Sequence, residues 1–478
     1  MDYTNLKVEP KEYQYDGIQW ALDKEHNSEH YGGLLADEVG LGKTFQMIAL
    51  ILANKVSKSL VLVPKSLINQ WCTEISNYTD ALNVIKIENL KKDEMIFDKS
   101  KCNVVIMGIT QVYGRESKCK LLYDEKYSKT IIHNIYWDRL IIDEAHVIKN
   151  SKSKLHKACK EIYTKYKWLL SATPVMNTMS DFVSLMSFFG ISQNECQTKK
   201  NEIVKKMIMR RTKEQVKIKR PEFKLPECII ENVEVPFETC DELKHYNETF
   251  EKMKSKVAKA KKRNAMMEIL EHLLRMRQFC ISPQLFIDGL DKKYHEKSPP
   301  YTGNCTKLNT FVKLIQRKPN DEKALVFFQF IGEMKIYKKE LVKQGYECSH
   351  ISGCMNLDQR TNIINIFKTS KTLNILFMQI NVGGVGYNLQ EANWVYITSP
   401  TWNPSIEYQA IGRCHRSGQK KEVHVYKIII NDINDEKTGY IENRIMKLQE
   451  KKNTMISELL ECAPSNNLSL KEAIKLFK

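Results

Sequence analysis

Short apolar runs dense in β-branched residues alternate, twice over, with longer stretches of helical periodicity, and that rhythm leaves few folds open. The first series is Leu60-Val61-Leu62-Val63, Val104-Val105-Ile106, Leu140-Ile141-Ile142 and Trp168-Leu169-Leu170; the second is Leu325-Val326-Phe327-Phe328, Ile375-Leu376-Phe377, Val395-Tyr396-Ile397 and Val423-His424-Val425-Tyr426. A half-solvated strand alternates apolar and polar residues, whereas a continuous apolar run marks a strand covered on both faces, as in a parallel sheet sandwiched by helices. Two α/β lobes are therefore predicted, over residues 1–215 and 304–478. Between them, over 216–303, the composition shifts to Pro221, Pro226 and Pro236, then a lysine-rich stretch from Lys252 to Arg263. Met266, Ile269, Leu270, Leu273 and Leu274 follow at one-face helical spacing, so this stretch is read as a basic, largely helical insertion, with Pro299-Pro300-Tyr301-Thr302-Gly303-Asn304 as a linker. The lysine run reads either as a solvated helix face or as a nucleic-acid contact.

The first chemistry-bearing segment follows Leu34-Leu35-Ala36: Asp37-Glu38-Val39-Gly40-Leu41-Gly42-Lys43-Thr44, then a helix with Phe45, Ile48, Ala49 and Leu52 on one face. Strand, glycine loop and helix in that order are the context of a phosphate cradle, an ordinary tight turn before a helix being the alternative. Gly40 and Gly42 let backbone N–H groups, with that of Leu41 between them, approach phosphate oxygens, and the helix N-terminus adds positive potential. Lys43 would reach the β- and γ-phosphates, and the Thr44 hydroxyl would bind Mg²⁺. Asp37 stands where the strict pattern has its first glycine. The second segment is Asp143-Glu144-Ala145-His146, directly after Leu140-Ile141-Ile142. Carboxylates there sit at the C-terminal end of a buried strand, where open α/β sheets bind ligands. Asp143 would hold Mg²⁺ and Glu144 would orient or deprotonate the attacking water. His146 either couples the site to the turn Ser171-Ala172-Thr173 or satisfies a local hydrogen bond.

A formal net charge of +17 suits a polyanionic partner, since Lys and Arg that neutralise phosphates release counterions; charge alone does not separate nucleic acid from an anionic membrane. The N-terminal residues carry acid, and no apolar run approaches the ~20 residues that span a bilayer, so no membrane association is expected. The 13 cysteines are scattered without a Cys-x-x-Cys pair, which predicts reduced, buried thiols and no structural zinc.

Taken in order, these pieces resemble the SWI/SNF-type helicase-like ATPases of helicase superfamily two, the DEAH-box translocases of double-stranded DNA. The matching residues are Gln14 in Tyr13-Gln14-Tyr15-Asp16-Gly17, the loop 37–44, Leu62 to Trp71, Asp143 to Asn150, Leu170 to Asn177 and Arg210-Arg211-Thr212-Lys213. Beyond the first lobe come Leu273 to Gln278, Ser352-Gly353-Cys354-Met355, Gly383-Gly384-Val385-Gly386-Tyr387-Asn388-Leu389, Trp402-Asn403-Pro404 and Gln409 to Gln419. In that family an aspartate at position 37 is usual. Ser171-Ala172-Thr173 departs from the Thr-Gly-Thr common in chromatin remodellers. The Trp-Asn-Pro wording resembles repair and transcription-termination translocases, whose inserted zinc-binding ring has no counterpart here.

The resemblance implies two tandem RecA-like lobes that bind one ATP, with Mg²⁺, in a cleft between them. Gln14 would read the adenine, with Gly386 and Gln409 also at the nucleotide, and Arg413 and Arg416 would act as arginine fingers. Arg416 contacting a nucleic-acid phosphate is the competing reading. The first lobe would grip phosphates with Lys65, Ser66, Gln70 and Thr110, and the second with Ser352, Gly353, Gly383, Gly384 and Asn388. Double-stranded DNA is the expected track, RNA less so, with transcription or chromatin factors as protein partners. Its expected address is nuclear or, for a large DNA virus, a cytoplasmic replication site or the virion. A strand-separating helicase and a scaffold subunit with incidental hydrolysis are the alternatives.

Overall fold

The computed structural model describes residues 5–90, 93–113, 131–171, 179–220, 225–259, 265–295, 297–383, 387–431 and 440–450. The described residues up to Arg220 form one compact unit, and nearly all from Leu225 on form a second. The first unit's strands are β1 (Gly32–Leu35), β2 (Lys58–Val63), β3 (Leu82–Ile87), β4 (Cys102–Gly108), β5 (Trp137–Ile142), β6 (Thr164–Leu170) and β7 (Ile208–Met209). The second unit has β8 (Cys228–Val235), β9 (Lys323–Phe328), β10 (Cys348–Ile351), β11 (Ile375–Gln379), β12 (Ala392–Ile397) and β13 (Val423–Ile430). Their orders are β3-β4-β2-β5-β6-β1-β7 and β10-β11-β9-β12-β13-β8. Every pairing in both sheets is parallel. Each expected strand is present.

The period-two geometry of a strand explains why the apolar runs had to be continuous. In the first unit, Leu60, Leu62, Leu140, Ile142 and Leu169 point into one core, beneath Phe182, Leu185 and Met207. Their neighbours Val61, Val63, Ile141, Trp168 and Leu170 point into the other, covered by three helices, α1 (Glu12–Asn27), α2 (Lys43–Ala53) and α3 (Ile68–Tyr78). In the second unit, Ala324, Val326, Phe328, Phe377 and Tyr396 pack with Phe311, Leu314 and Tyr337. Each fully buried Leu, Ile, Val or Phe contributes about 1.5–3 kcal/mol.

Helix α1 is fixed to the first sheet by a buried ion pair. Arg139 on β5 donates from Nε and Nη2 to the two oxygens of Glu25 at 2.7 and 2.6 Å, both side chains fully buried. Trp168 Nε1 at 2.8 Å and Asn54 Nδ2 at 2.6 Å donate to the same carboxylate. With its charge and lone pairs so answered, Glu25 is tolerated in the core, and the far end of α1, which carries Gln14, is held over the loop 37–42.

Several expectations are refined. The helix Ala265–Ile281 forms, but its buried stripe is Ile269, Leu273 and Met276, while Leu270 and Leu274 are exposed. Only one side of that helix meets Phe237, Tyr246 and Phe286. The segment 228–235 adds an edge strand to the second sheet, pairing along all of β13. The stretch read as a linker is tied down: Tyr301 N donates to Gln284 Oε1 at 2.6 Å, and Asn304 Nδ2 to Glu242 Oε2 at 3.1 Å. Lys252 and Lys256 lie on a solvated helix face, and Lys261, Lys262 and Arg263 lie outside the described residues. The described cysteines are free thiols. Cys159, Cys196, Cys280 and Cys414 are buried, but Cys240 and Cys354 are exposed, against the expectation for them.

Candidate nucleotide and nucleic-acid sites

The loop after β1 is a tight, left-handed passage into α2. Gly40 and Gly42 have φ of 92° and 80°, values at which a side chain strains the backbone. A Cβ on Gly42 would also stand 2.5 Å from Gln14 Nε2. Gly42 is the N-cap of α2 and has no side chain to cap it, so the first-turn N–H groups face whatever the loop encloses. Lys43 Nζ donates to the carbonyl of Asp37 at 2.6 Å, across the loop. Burial lowers its pKa, while Asp37, Glu144, Asp143 and Glu38 oppose that shift. The ammonium therefore lies within electrostatic reach of both carboxylates after β5.

Asp143 leaves the end of β5 with its N–H on Leu62 O at 2.9 Å. One carboxylate oxygen accepts from Trp71 Nε1 at 2.9 Å and the other from Glu144 N at 2.8 Å. Burial first, and then repulsion by Glu144, raise its pKa to about 6, against the hydrogen bonds and Lys43. Among the described residues, Glu144 is one of few non-glycine residues with positive φ, at 51°. Such a conformation costs on the order of 1–3 kcal/mol and is concentrated at functional sites. His146 Nδ1 stands 3.1 Å from Glu144 Oε2. Ser171 is buried at the end of β6, its N–H on Leu35 O at 3.1 Å, next to the loop strand. Thr173, the other half of the expected coupling turn, lies outside the described residues.

Gln14 donates to Leu41 O at 3.3 Å, so the residue expected at the adenine lies against the loop. Two residues that lie in the matched segments, but to which the sequence assigned no task, hold this site. Trp71, buried on α3, orients Asp143. Arg211, just past β7, donates to Asp37 Oδ1 from N and Nε at 3.1 and 3.0 Å, and to Oδ2 from Nη2 at 2.5 Å.

The expected first-lobe phosphate contacts follow the C-terminal ends of two neighbouring strands of the same sheet. Val63 of β2 pairs with Gly108 of β4, so Lys65 and Thr110, each two residues further, stand side by side, both exposed. Ser66 is half-buried in the turn Lys65–Leu67 that precedes α3, and Gln70 Nε2 donates to Glu74 Oε1 at 2.6 Å.

In the second unit, Ser352 and Gly353 follow β10, beside the short helix Ile380–Gly383 that follows β11. Gly353 N donates to Gln379 Oε1 at 3.1 Å, and Arg360, also unanticipated, donates to Gly353 O at 3.1 Å. Asn388 is exposed and donates to Gln390 Oε1 at 3.1 Å; Gly384 and Gly386 lie outside the described residues. Asn403 caps the helix Pro404–Ile411, which carries Gln409, through Ser405 N at 3.2 Å. The turn bearing Arg413, buried, and Arg416, half-buried, is fixed by Gln419. Its Nε2 donates to Gln390 O and Ala392 O at 3.0 Å each, and to Cys414 O at 3.2 Å.

Comparison with known proteins places these motifs. Residues 13–195 match the SNF2-related domain, and 306–418 match the helicase conserved C-terminal domain. The chain is 28% identical to a probable global transactivator of Orgyia pseudotsugata multicapsid polyhedrosis virus, covering 97% of this chain and 94% of that one. It is 27% identical to the mouse SWI/SNF-related matrix-associated actin-dependent regulator of chromatin subfamily A member 1, over 98% of this chain but 45% of that protein. An uncharacterized ATP-dependent helicase of Mycoplasma genitalium is 28% identical over 98% of this chain and 44% of its own length. The chain thus spans less than half of these last two relatives. The solved Sulfolobus solfataricus SWI2/SNF2 ATPase core in complex with dsDNA aligns over 100% of this chain and 96% of its own, at 23% identity and a TM-score of 0.42. Among the described residues, no helix is long and apolar enough to cross a membrane.

Proposed function

The chain belongs to the SWI/SNF-type helicase-like ATPases, and from that premise we propose that it spends ATP to translocate along double-stranded DNA, displacing or repositioning proteins bound there. The observation that carries this reading is the shared C-terminal end of the parallel strands of the first sheet. The loop 37–44 and Asp143-Glu144 end β1 and β5, while Lys65 and Thr110 end β2 and β4 on the same side. Groups that hold a nucleotide and groups suited to a phosphate backbone thus lie along one row of strand ends. Contacts of the second kind, from lysine, hydroxyl and backbone, position a protein on DNA without reading bases.

In this reading Lys43 turns from the loop carbonyl to the β- and γ-phosphate oxygens, and Gln14 reads the adenine. Glu144, placed by its left-handed backbone, orients the attacking water and takes its proton. Asp143 and Thr44 are the residues that would hold magnesium. They fit it as hard oxygen donors, and Asp143 is a half-buried carboxylate whose charge Glu144 disfavours and a cation would ease. When bound, the ion neutralises phosphate charge. Arg413 and Arg416 would stabilise the transferring phosphoryl group, a role typically worth about 10³ to 10⁵ in turnover. The viral relative's extent and name support action in transcription, with transcription or chromatin factors as partners.

ATP turnover measured with duplex DNA, single strands and RNA tests the proposal, with the duplex expected to stimulate most and its affinity to fall steeply with salt. Lys43→Ala and Arg416→Ala should abolish turnover and retain DNA binding. Absence of stimulation by duplex would sink translocation on DNA, and full activity of Glu144→Gln would favour the scaffold reading.

A further inference from the structure

Arg211 spends its donors on several partners at once. Besides Asp37, its Nη2 reaches Gln46 Oε1 at 2.9 Å, its Nη1 donates to the carbonyl of Tyr13, and its guanidinium lies 5.7 Å from the Tyr13 ring centroid. Asp37 is fully buried. Gln46, also fully buried, donates from Nε2 to Asp37 Oδ2 at 3.1 Å and to the carbonyls of Leu41 and Gly42 at 3.4 Å each. Arg211 O accepts from Glu38 N at 3.0 Å, and Lys213 N donates to Glu38 Oε2 at 2.8 Å. The loop is therefore gripped at Asp37, Glu38, Leu41 and Gly42, and one guanidinium joins that grip to the turn of α1 that bears Gln14.

We propose that Arg211 is a positioning residue for nucleotide binding, holding the phosphate loop and Gln14 in register with each other. The inference rests on the reading of residues 37–44 as the phosphate loop. Through Asp37 the arginine also fixes the carbonyl on which Lys43 rests. A planar fork is required: a lysine would keep a positive charge beside Asp37 but could not reach both carboxylate oxygens, Gln46 and the Tyr13 carbonyl together.

The test uses the full chain with Arg211→Lys and, from a different element, Gly17→Ala. A Cβ on Gly17 would stand 1.9 Å from Gln46 Oε1 and 2.7 Å from Arg211 Nη2. Both atoms end flexible side chains, so the variant should fold while the network is pushed apart. Affinity for a fluorescent ADP analogue, the KM for ATP, duplex affinity without nucleotide and the unfolding midpoint are measured for each, beside Lys43→Ala. Both variants are expected to lose about tenfold or more in nucleotide affinity, the scale of a lost charged hydrogen bond, with duplex affinity unchanged. Wild-type nucleotide affinity in Arg211→Lys, or an affinity loss in step with loss of duplex binding, overturns the positioning role. Normal turnover by Lys43→Ala would instead remove the phosphate-loop reading beneath it.

Discussion

Replacing Asp37 by glycine would restore the strict glycine-loop pattern, and the structure predicts that it damages the protein. Asp37 accepts three bonds from Arg211 and one from Gln46, at 2.5 to 3.1 Å, in a fully buried position. Removing one partner of a buried ion pair costs about 3–5 kcal/mol, because the other charge is stranded. The Arg211 side chain keeps 17% of its exposure, which favours the lower end. Glycine adds roughly 0.5–1 kcal/mol of backbone entropy with no return, since Asp37 is not among the positive-φ residues. For a unit of this size each kcal/mol shifts the midpoint by about 2–4 °C, so Asp37→Gly, at about 3.5–6 kcal/mol in all, should melt roughly 7–24 °C lower. Calorimetry on the full chain, resolving the first-unit transition, measures this. Asp37→Asn, which keeps one acceptor oxygen but loses the charge, should fall between. A variant as stable as the parent would show that the pair contributes nothing net, and the reasoning from buried-pair energetics would be wrong.

Trp71→Phe should shift the magnesium dependence of ATP turnover to higher concentration, because Asp143 loses the donor that orients it; an unchanged titration would refute the role given to the indole. Burial acts to raise the pKa of Glu322, but bonds from Lys421, Asn393 and the Trp394 indole outweigh it and hold the value at about 2, against an ordinary 4.5. Since the folded value is depressed, the stabilisation is complete above pH 4.5 and is lost as pH falls toward 2. The gap in second-unit midpoint between the parent and Glu322→Gln should therefore close across that window, and a constant gap would contradict the assignment. Lys307 and Glu442 form a fully buried pair at 2.5 Å. Lys307→Met alone should cost about 3–5 kcal/mol, and Lys307→Met with Glu442→Leu should recover most of it by urea unfolding.

What could be read from the sequence divides by physical cause. The strands found from apolar runs are interior to their sheets, whereas the four that escaped, β3, β7, β8 and β10, are the four sheet edges. An edge strand faces solvent along one side, so Lys86 on β3, Glu231 and Glu234 on β8 and His350 on β10 interrupt the run that would announce it. The site divides in the same way. The loop 37–44 and the pair Asp143-Glu144 each lie within a few residues, and their chemistry can be read from spacing. The bonds that hold them run from Arg211 to Asp37, 174 residues apart, and from Trp71 to Asp143, 72 apart. No periodicity marks such partners, and Trp71 reads as an ordinary core residue of an amphipathic helix. One local signal did exist: a carboxylate in place of the loop's first glycine, bound to be buried by the apolar strand before it, required a cation from elsewhere in the chain. Arg210-Arg211 is the matched motif to which the sequence alone assigns no task, and its second arginine is that cation.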